Sequence, residues 1–178
     1  MIPCYGISSP LGEIVLRAED DLLTGWFFVG QKNFPTLSVV AAHQRVPAVI
    51  RQTSEQLAEI FAGDRRVFMA PFYLRGTAFQ RLVWQELSAI PYGTIASYGA
   101  IAQRIGLAGG AARAIGSANA KNPISIIVPC HRVISSTGDL TGYAGGIERK
   151  QALLAMERRG YPNVTSHEQN KVDSHERH

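Results

Sequence analysis

From Thr77 to Ala120 the chain is punctuated so densely that it can form only short helices joined by tight turns. Thr77-Ala78-Phe79-Gln80 has the capping-box spacing, in which a hydroxyl and an amide three residues apart satisfy two orphan backbone N–H groups. It opens a helix that buries Phe79, Val83, Trp84 and Leu87 and stops before Pro91-Tyr92-Gly93. Ser97 then caps a second helix, with Tyr98, Ile101, Ala102 and Ile105 on one face and Gly106 as its stop. A turn through Gly109-Gly110 leads into a third, from Ala111 to about Ala120. Two short helices across a glycine turn make the helix-turn-helix pattern, which offers its second helix to a nucleic-acid groove.

That third helix is slim. If Ala112, Ile115 and Ala118 face the core, Arg113 and Ser117 point outward among Gly116 and Ala120, so little bulk separates its backbone from a ligand. A reader of the major groove carries several large polar side chains, whereas one long cation on a thin helix suits close, minor-groove approach. A helix-packing face would use small residues equally well.

Charge agrees with the groove reading. The net charge is +4, with seven basic and seven acidic side chains in residues 1–80 but nine and four in residues 81–160. Between Glu86 and Asp139 there is no acid, and the stretch carries Arg104, Arg113, Lys121 and Arg132. Nothing there repels a phosphate backbone. The 46% apolar composition is that of a globular protein, and no apolar run nears the roughly 20 residues that span a bilayer. Met1-Ile2-Pro3-Cys4 has neither the basic nor the apolar part of a signal peptide, so a cytoplasmic protein without membrane contact is expected. With Cys4 and Cys130 the only cysteines, both should be free thiols.

The first half reads as a mixed scaffold. Strands over 12–18 and 22–28 joined by the acidic turn Glu19-Asp20-Asp21 predict a hairpin. Thr53-Ser54-Glu55-Gln56 has the capping-box pattern ahead of Leu57, Ile60 and Phe61, with Gly63 as a stop. Beyond the third helix, Ile124 to Val128 reads as a strand running into Pro129-Cys130, and Gly142-Tyr143-Ala144-Gly145-Gly146 as a flexible loop. A last helix runs from Ile147 to Arg159, closed by Gly160 and Pro162, and residues 163–178 form a polar tail.

Pro129-Cys130-His131-Arg132 carries the chemistry. An imidazole and a guanidinium next in sequence favour thiolate, the nucleophilic form of cysteine. Neighbours in an extended strand point to opposite faces, so His131 reaches Cys130 only if the chain turns there or a water joins them. A carboxylate on the far ring nitrogen would fix the tautomer and stabilise the imidazolium; Glu157, an acid near the end of a cation-rich helix, is the candidate. Either a hydrolase or a transferase uses such a thiolate. Hydrolases take their histidine from elsewhere in the chain, so the adjacency fits them poorly.

Ile90-Pro91-Tyr92-Gly93, Ser97-Tyr98-Gly99, Ala112-Arg113-Ala114-Ile115-Gly116, Lys121-Asn122-Pro123, Val128 to Ile134 and Gly142 to Gly146 together resemble the O6-alkylguanine-DNA alkyltransferase family. The likeness runs from about Leu74 to Glu157 and continues more weakly at Ser9-Pro10-Leu11-Gly12 and Gly76-Thr77. It implies an α/β protein: a ribonuclease-H-like scaffold domain over 1–76, a winged helix-turn-helix domain over 77–162 bearing the active site, and the tail 163–178. It implies repair of double-stranded DNA by stoichiometric transfer of an alkyl group from O6-alkylguanine, and O4-alkylthymine, to Cys130 after the base is flipped through the minor groove.

The resemblance also implies roles. His131 acts on Cys130 through a water, Glu157 orients His131, and Asn122 ties the helix-turn-helix to the active-site strand. Arg113 fills the gap left by the flipped base, with Ser117 on the same groove face, and Tyr98 crowds the 3′ phosphate and donates to guanine N3. Tyr143 walls the alkyl pocket, the Ala144 N–H reaches the guanine oxygen, and the carbonyls of Cys130 and Val133 accept from the exocyclic amine. A monomer is expected. No cofactor and no metal are expected, since Cys4 and His43 are only two plausible zinc ligands and a closed site takes four.

Overall fold

The computed structural model describes residues 2–36, 45–107, 110–140 and 142–159 of the mixed α/β chain. Gly109 of the expected turn, Gly160 and Pro162 at the expected helix stop, the tail 163–178 and His43 lie outside the described residues.

An antiparallel sheet of β1 (Cys4–Ile7), β2 (Ile14–Glu19) and β3 (Leu22–Phe28) is stacked in that order. The β2–β3 hairpin pairs Glu19 with Leu22, and the two residues between, Asp20 and Asp21, have φ of 49° and 58°. Left-handed backbone at both central positions matches the twist of the flanking strands, and aspartate tolerates it. Asp21 does more: its Oδ1 accepts the backbone N–H of Val49, in the first turn of α1 (Ala48–Ala62).

This moves the expected start of α1. Thr53 does not cap it; it is fully buried in the helix, and its hydroxyl donates to the Val49 carbonyl. The cap comes from the hairpin instead, which lets Val49, Ile50, Leu57 and Ile60 lie against the sheet as one stripe. Gly63 ends the helix in the left-handed conformation, as expected.

β3 is the sheet's last strand, yet its outer edge is covered. Leu23 exchanges backbone hydrogen bonds with Pro71 and Tyr73, and the Trp26 N–H donates to the Pro123 carbonyl at 2.8 Å. The sheet therefore touches the segment that leads to Cys130, and unpaired edge groups are avoided.

The second half follows its punctuation. α2 (Ala78–Ser88) begins at Thr77 with the reciprocal capping box in place, at 3.1 and 3.0 Å. Val83, Trp84 and Leu87 are buried, while Phe79 is half-buried. α3 (Tyr98–Arg104) starts at the Ser97 cap, and α4 (Ala112–Ala120) packs across α2 and α3. The Trp84 indole N–H donates to the Ala118 carbonyl at 2.9 Å, fixing α2 to α4. β4 (Ala96–Ser97) pairs in parallel with β5 (Val133–Ile134), and α5 (Ile147–Arg159) closes the described chain.

Two expectations change here. Ala112 is exposed; the core face of α4 is Ile115, Ala118 and Asn119, which leaves Arg113 and Ser117 exposed as expected. The segment Ile124 to Val128 is a hooked turn and not a strand, with Ile126 at φ 69°. The Asn122 side chain closes that hook, its Oδ1 accepting from Ile124 N–H at 3.0 Å and its Nδ2 donating to the Val128 carbonyl at 2.8 Å. These bonds offset the roughly 1–2 kcal/mol that a left-handed β-branched residue costs.

Candidate active site

The hook delivers the chain to Pro129, after which Cys130–Arg132 form one turn of 3-10 helix. The tight turn ends the strand-like alternation that would have set Cys130 and His131 on opposite faces. Cys130, His131 and Arg132 are all buried, the imidazole completely.

Glu157 reaches this turn from α5. Its Oε1 lies 2.7 Å from His131 Nε2, and both carboxylate oxygens accept from Arg132, through Nε at 3.1 and 2.9 Å and a terminal nitrogen at 2.8 Å. Burial would raise the Glu157 carboxyl, but hydrogen bonds from His131 and Arg132 outweigh it and hold the group down at about 2. It is a carboxylate throughout the physiological range. Arg132 also donates to the Ile90 carbonyl at 2.7 Å and stacks near the Tyr92 ring, 5.5 Å from its centroid.

The arrangement corrects the electrostatic reading of the tetrapeptide. Arg132 is spent on Glu157 and does not serve the thiol. Burial pushes Cys130 up to about 11, against smaller lowering by the Asn122 side chain and the Lys150 charge. Burial likewise lowers the imidazole of His131. The resting site is thus a neutral thiol beside a neutral imidazole. With Nε2 turned to the carboxylate and carrying the proton, Nδ1, buried and without a hydrogen-bond partner among the described residues, is the nitrogen left to accept one.

Lys150 is the group that sequence reasoning missed. It is fully buried on α5, its ammonium donates to the Val133 carbonyl, and burial brings it down to about 8 against the raising influence of Cys130. The signal was present: Lys150, Leu153, Leu154 and Glu157 form one buried stripe at helical spacing. A cation and an anion on such a stripe need internal partners.

Beside the thiol, Asn119 Nδ2 donates to the Cys130 carbonyl at 3.3 Å. Tyr143 is buried, and burial together with the nearby Cys130 raises its phenol well above the ordinary range. Tyr98, buried at the start of α3, brings its hydroxyl against Gly142, where a Cβ would stand 2.8 Å from the oxygen. Gly142 also has φ +72°, so conformation and space both require glycine there.

In front of the loop 142–146 lies an open cavity of about 880 Å³. It is lined by Tyr143 and Ala144, by Ala120 at the end of α4, and by Leu11, Lys32 and Asn33 from the first half. The structure gathers His131, Glu157, Asn122, Val133 and Tyr143 around Cys130, and of these only Tyr143, with Ala144, also lines the cavity. Arg113 and Ser117 stand outside that cluster on the exposed face of α4. His43, which with Cys4 made only two plausible zinc ligands, lies outside the described residues, which hold no group of three or more His, Cys, Asp or Glu placed to share a metal ion.

Residues 78–159 match the family described as 6-O-methylguanine DNA methyltransferase, DNA binding domain. The chain is 48% identical over 162 residues to the methylated-DNA–protein-cysteine methyltransferase of Mycolicibacterium paratuberculosis, covering 91% of this chain and 96% of that protein. It is 41% identical over 157 residues to the constitutive enzyme of that name from Bacillus subtilis, at 86% and 93% coverage. The crystal structure of Mycobacterium tuberculosis OGT in complex with DNA superposes with a TM-score of 0.78 at 44% identity, covering 89% of this chain and 94% of that one.

Proposed function

The chain belongs to the methylated-DNA–protein-cysteine methyltransferase family, DNA-repair enzymes that move an alkyl group from DNA to a protein cysteine, and we propose that Cys130 is the acceptor and O6-alkylguanine in duplex DNA the donor. One observation carries this reading: the 2.7 Å bond between His131 and Glu157 next to a buried Cys130, which leaves His131 Nδ1 as a proton acceptor.

The step balances without a cofactor. His131 Nδ1 takes the thiol proton through a water, and Glu157 stabilises the imidazolium through Nε2. The thiolate sulfur attacks the alkyl carbon, a C–S bond forms, and the C–O bond breaks with its electrons passing to guanine. Tyr98, donating to N3, and the Ala144 N–H, donating to the oxygen, stabilise that charge, while the carbonyls of Cys130 and Val133 hold the exocyclic amine. The nearby Lys150 charge lowers the cost of the thiolate.

An alkylated oxygen cannot be reached inside the duplex, so the base must leave the stack at a cost of a few kcal/mol. Arg113 on the exposed face of α4 fills the gap, Ser117 sits along the same minor-groove face, and Tyr98 crowds the 3′ phosphate. Sulfur ends as a thioether, which water does not cleave, so each molecule acts once. O4-alkylthymine presents a similar alkyl oxygen and is the second substrate. In this reading the protein works as a cytoplasmic monomer on nucleoid DNA, through a ribonuclease-H-like scaffold over 1–76 and a winged helix-turn-helix over 77–162.

The test compares two substrates. Arg113→Ala should slow repair of O6-methylguanine in duplex at least tenfold more than benzyl transfer from free O6-benzylguanine, because only the duplex requires flipping. Equal losses on both would remove Arg113 from the flipping step.

A further inference from the structure

The substrate loop 142–146 is held from outside its own domain. The Arg149 guanidinium donates from Nε to the Leu11 carbonyl at 2.8 Å, from one terminal nitrogen to the Gly145 carbonyl at 3.1 Å, and from the other to the Val29 carbonyl at 3.4 Å. Its carbon lies 4.6 Å from the centroid of the Phe28 ring. Next to it, the Lys32 N–H donates to the Ala144 carbonyl at 3.1 Å. Packing is close on the same side: a Cβ on Gly145 would stand 3.1 Å from the Phe28 ring and 2.7 Å from Tyr143.

We propose that Arg149 is a positioning residue for substrate binding, a clamp that joins the β1–β2 turn and the end of β3 to the loop that walls the alkyl pocket. The inference rests on the reading of Tyr143 and Ala144 as substrate contacts. Its physical basis is the shape of guanidinium. Three carbonyls from three segments converge on three nitrogens of one planar fork, a geometry that a lysine ammonium, a compact point donor on a flexible stem, cannot reproduce. Each accepting carbonyl belongs to an irregular segment, so none of the three is fixed by a sheet ladder. Arg149 and Lys150 are consecutive on α5 and divide the work, one gripping the loop in front of the cavity and the other the Val133 carbonyl behind Cys130.

Benzyl transfer from free O6-benzylguanine, followed against its concentration, separates half-saturation from the limiting rate. Arg149→Lys keeps the charge and loses the fork; its half-saturation concentration should rise about tenfold. Its limiting rate, and iodoacetamide labelling of Cys130, should stay within twofold of the native protein. A half-saturation unchanged from native overturns the clamp, and so does a parallel rise in labelling, which would mark general loss of packing around the buried thiol. If the native protein accepts no benzyl group, the reading of the pocket fails instead. Hydrogen exchange on the native protein needs no variant: the amides of Lys32 and of residues 142–146 should open as one unit, and independent opening also overturns the proposal.

Discussion

Replacing Glu157 by glutamine separates the proton relay proposed for it from its part as the anion that pairs with Arg132. The gap between an ordinary carboxyl at 4.5 and this one at about 2 corresponds to about 3 kcal/mol favouring the charged form in the folded protein. Because the folded value is depressed, that stabilisation is complete above about pH 4.5 and is lost as pH falls toward about 2. Glu157→Gln keeps the shape and strands the buried Arg132 charge, at a cost of about 3–5 kcal/mol. At this chain length that is a fall in Tm on the order of 10 °C. The amide also stabilises an imidazolium poorly, so alkyl transfer should slow by about 10²-fold while DNA affinity holds. Arg132→Met is the control: it breaks the same ion pair, leaves the His131–Glu157 bond, and should lower Tm comparably while slowing transfer less than fivefold. Single-turnover kinetics well below both midpoints, alongside thermal melts, read the two effects separately. Equal slowing in the two variants, or an unaltered rate in Glu157→Gln, would refute the relay.

The resting thiol should be quiet: with Cys130 raised to about 11, its iodoacetamide labelling should climb about tenfold per pH unit from 7 to 10, and a plateau near neutrality would show a pre-formed thiolate. Lys150→Met should cut that labelling severalfold at pH 7, where Lys150 still carries its charge, since the thiolate loses its neighbouring cation; unchanged labelling would show that Lys150 only supports Val133. Folded Lys150 stands at about 8 against 10.5 unfolded, so the unfolded chain binds more protons between these values and native stability rises with pH across that window. Lys150→Met should flatten that rise in denaturant titrations.

Local chemistry was legible where partners are local. Thr77 with Gln80, Ser97 at α3 and the Asp20-Asp21 turn follow from residues within three or four positions of each other, and the structure has all of them. Thr53 misled because the true partner of the α1 start, Asp21, lies 28 residues away. Ile124 to Val128 reads as a strand by composition, yet Asn122 folds it into a hook, a side-chain effect that apolar patterning does not register. Glu157 was legible as an acid among cations, whereas the thiol's own environment was not. Adjacency in sequence suggested that Arg132 activates Cys130; the fold turns that guanidinium to Glu157, and burial then decides the state of the sulfur. The Arg149 clamp joins residues up to 138 positions apart and has no local signature.

Intact-protein mass spectrometry after incubation with duplex DNA containing O6-methylguanine tests the central claim most directly. The account predicts a gain of one CH₂ per protein molecule, mapped to Cys130, saturating at one lesion per protein and absent in Cys130→Ser. Loss of the methyl group from DNA without that mass on Cys130, or lesions removed in excess of protein, would contradict it.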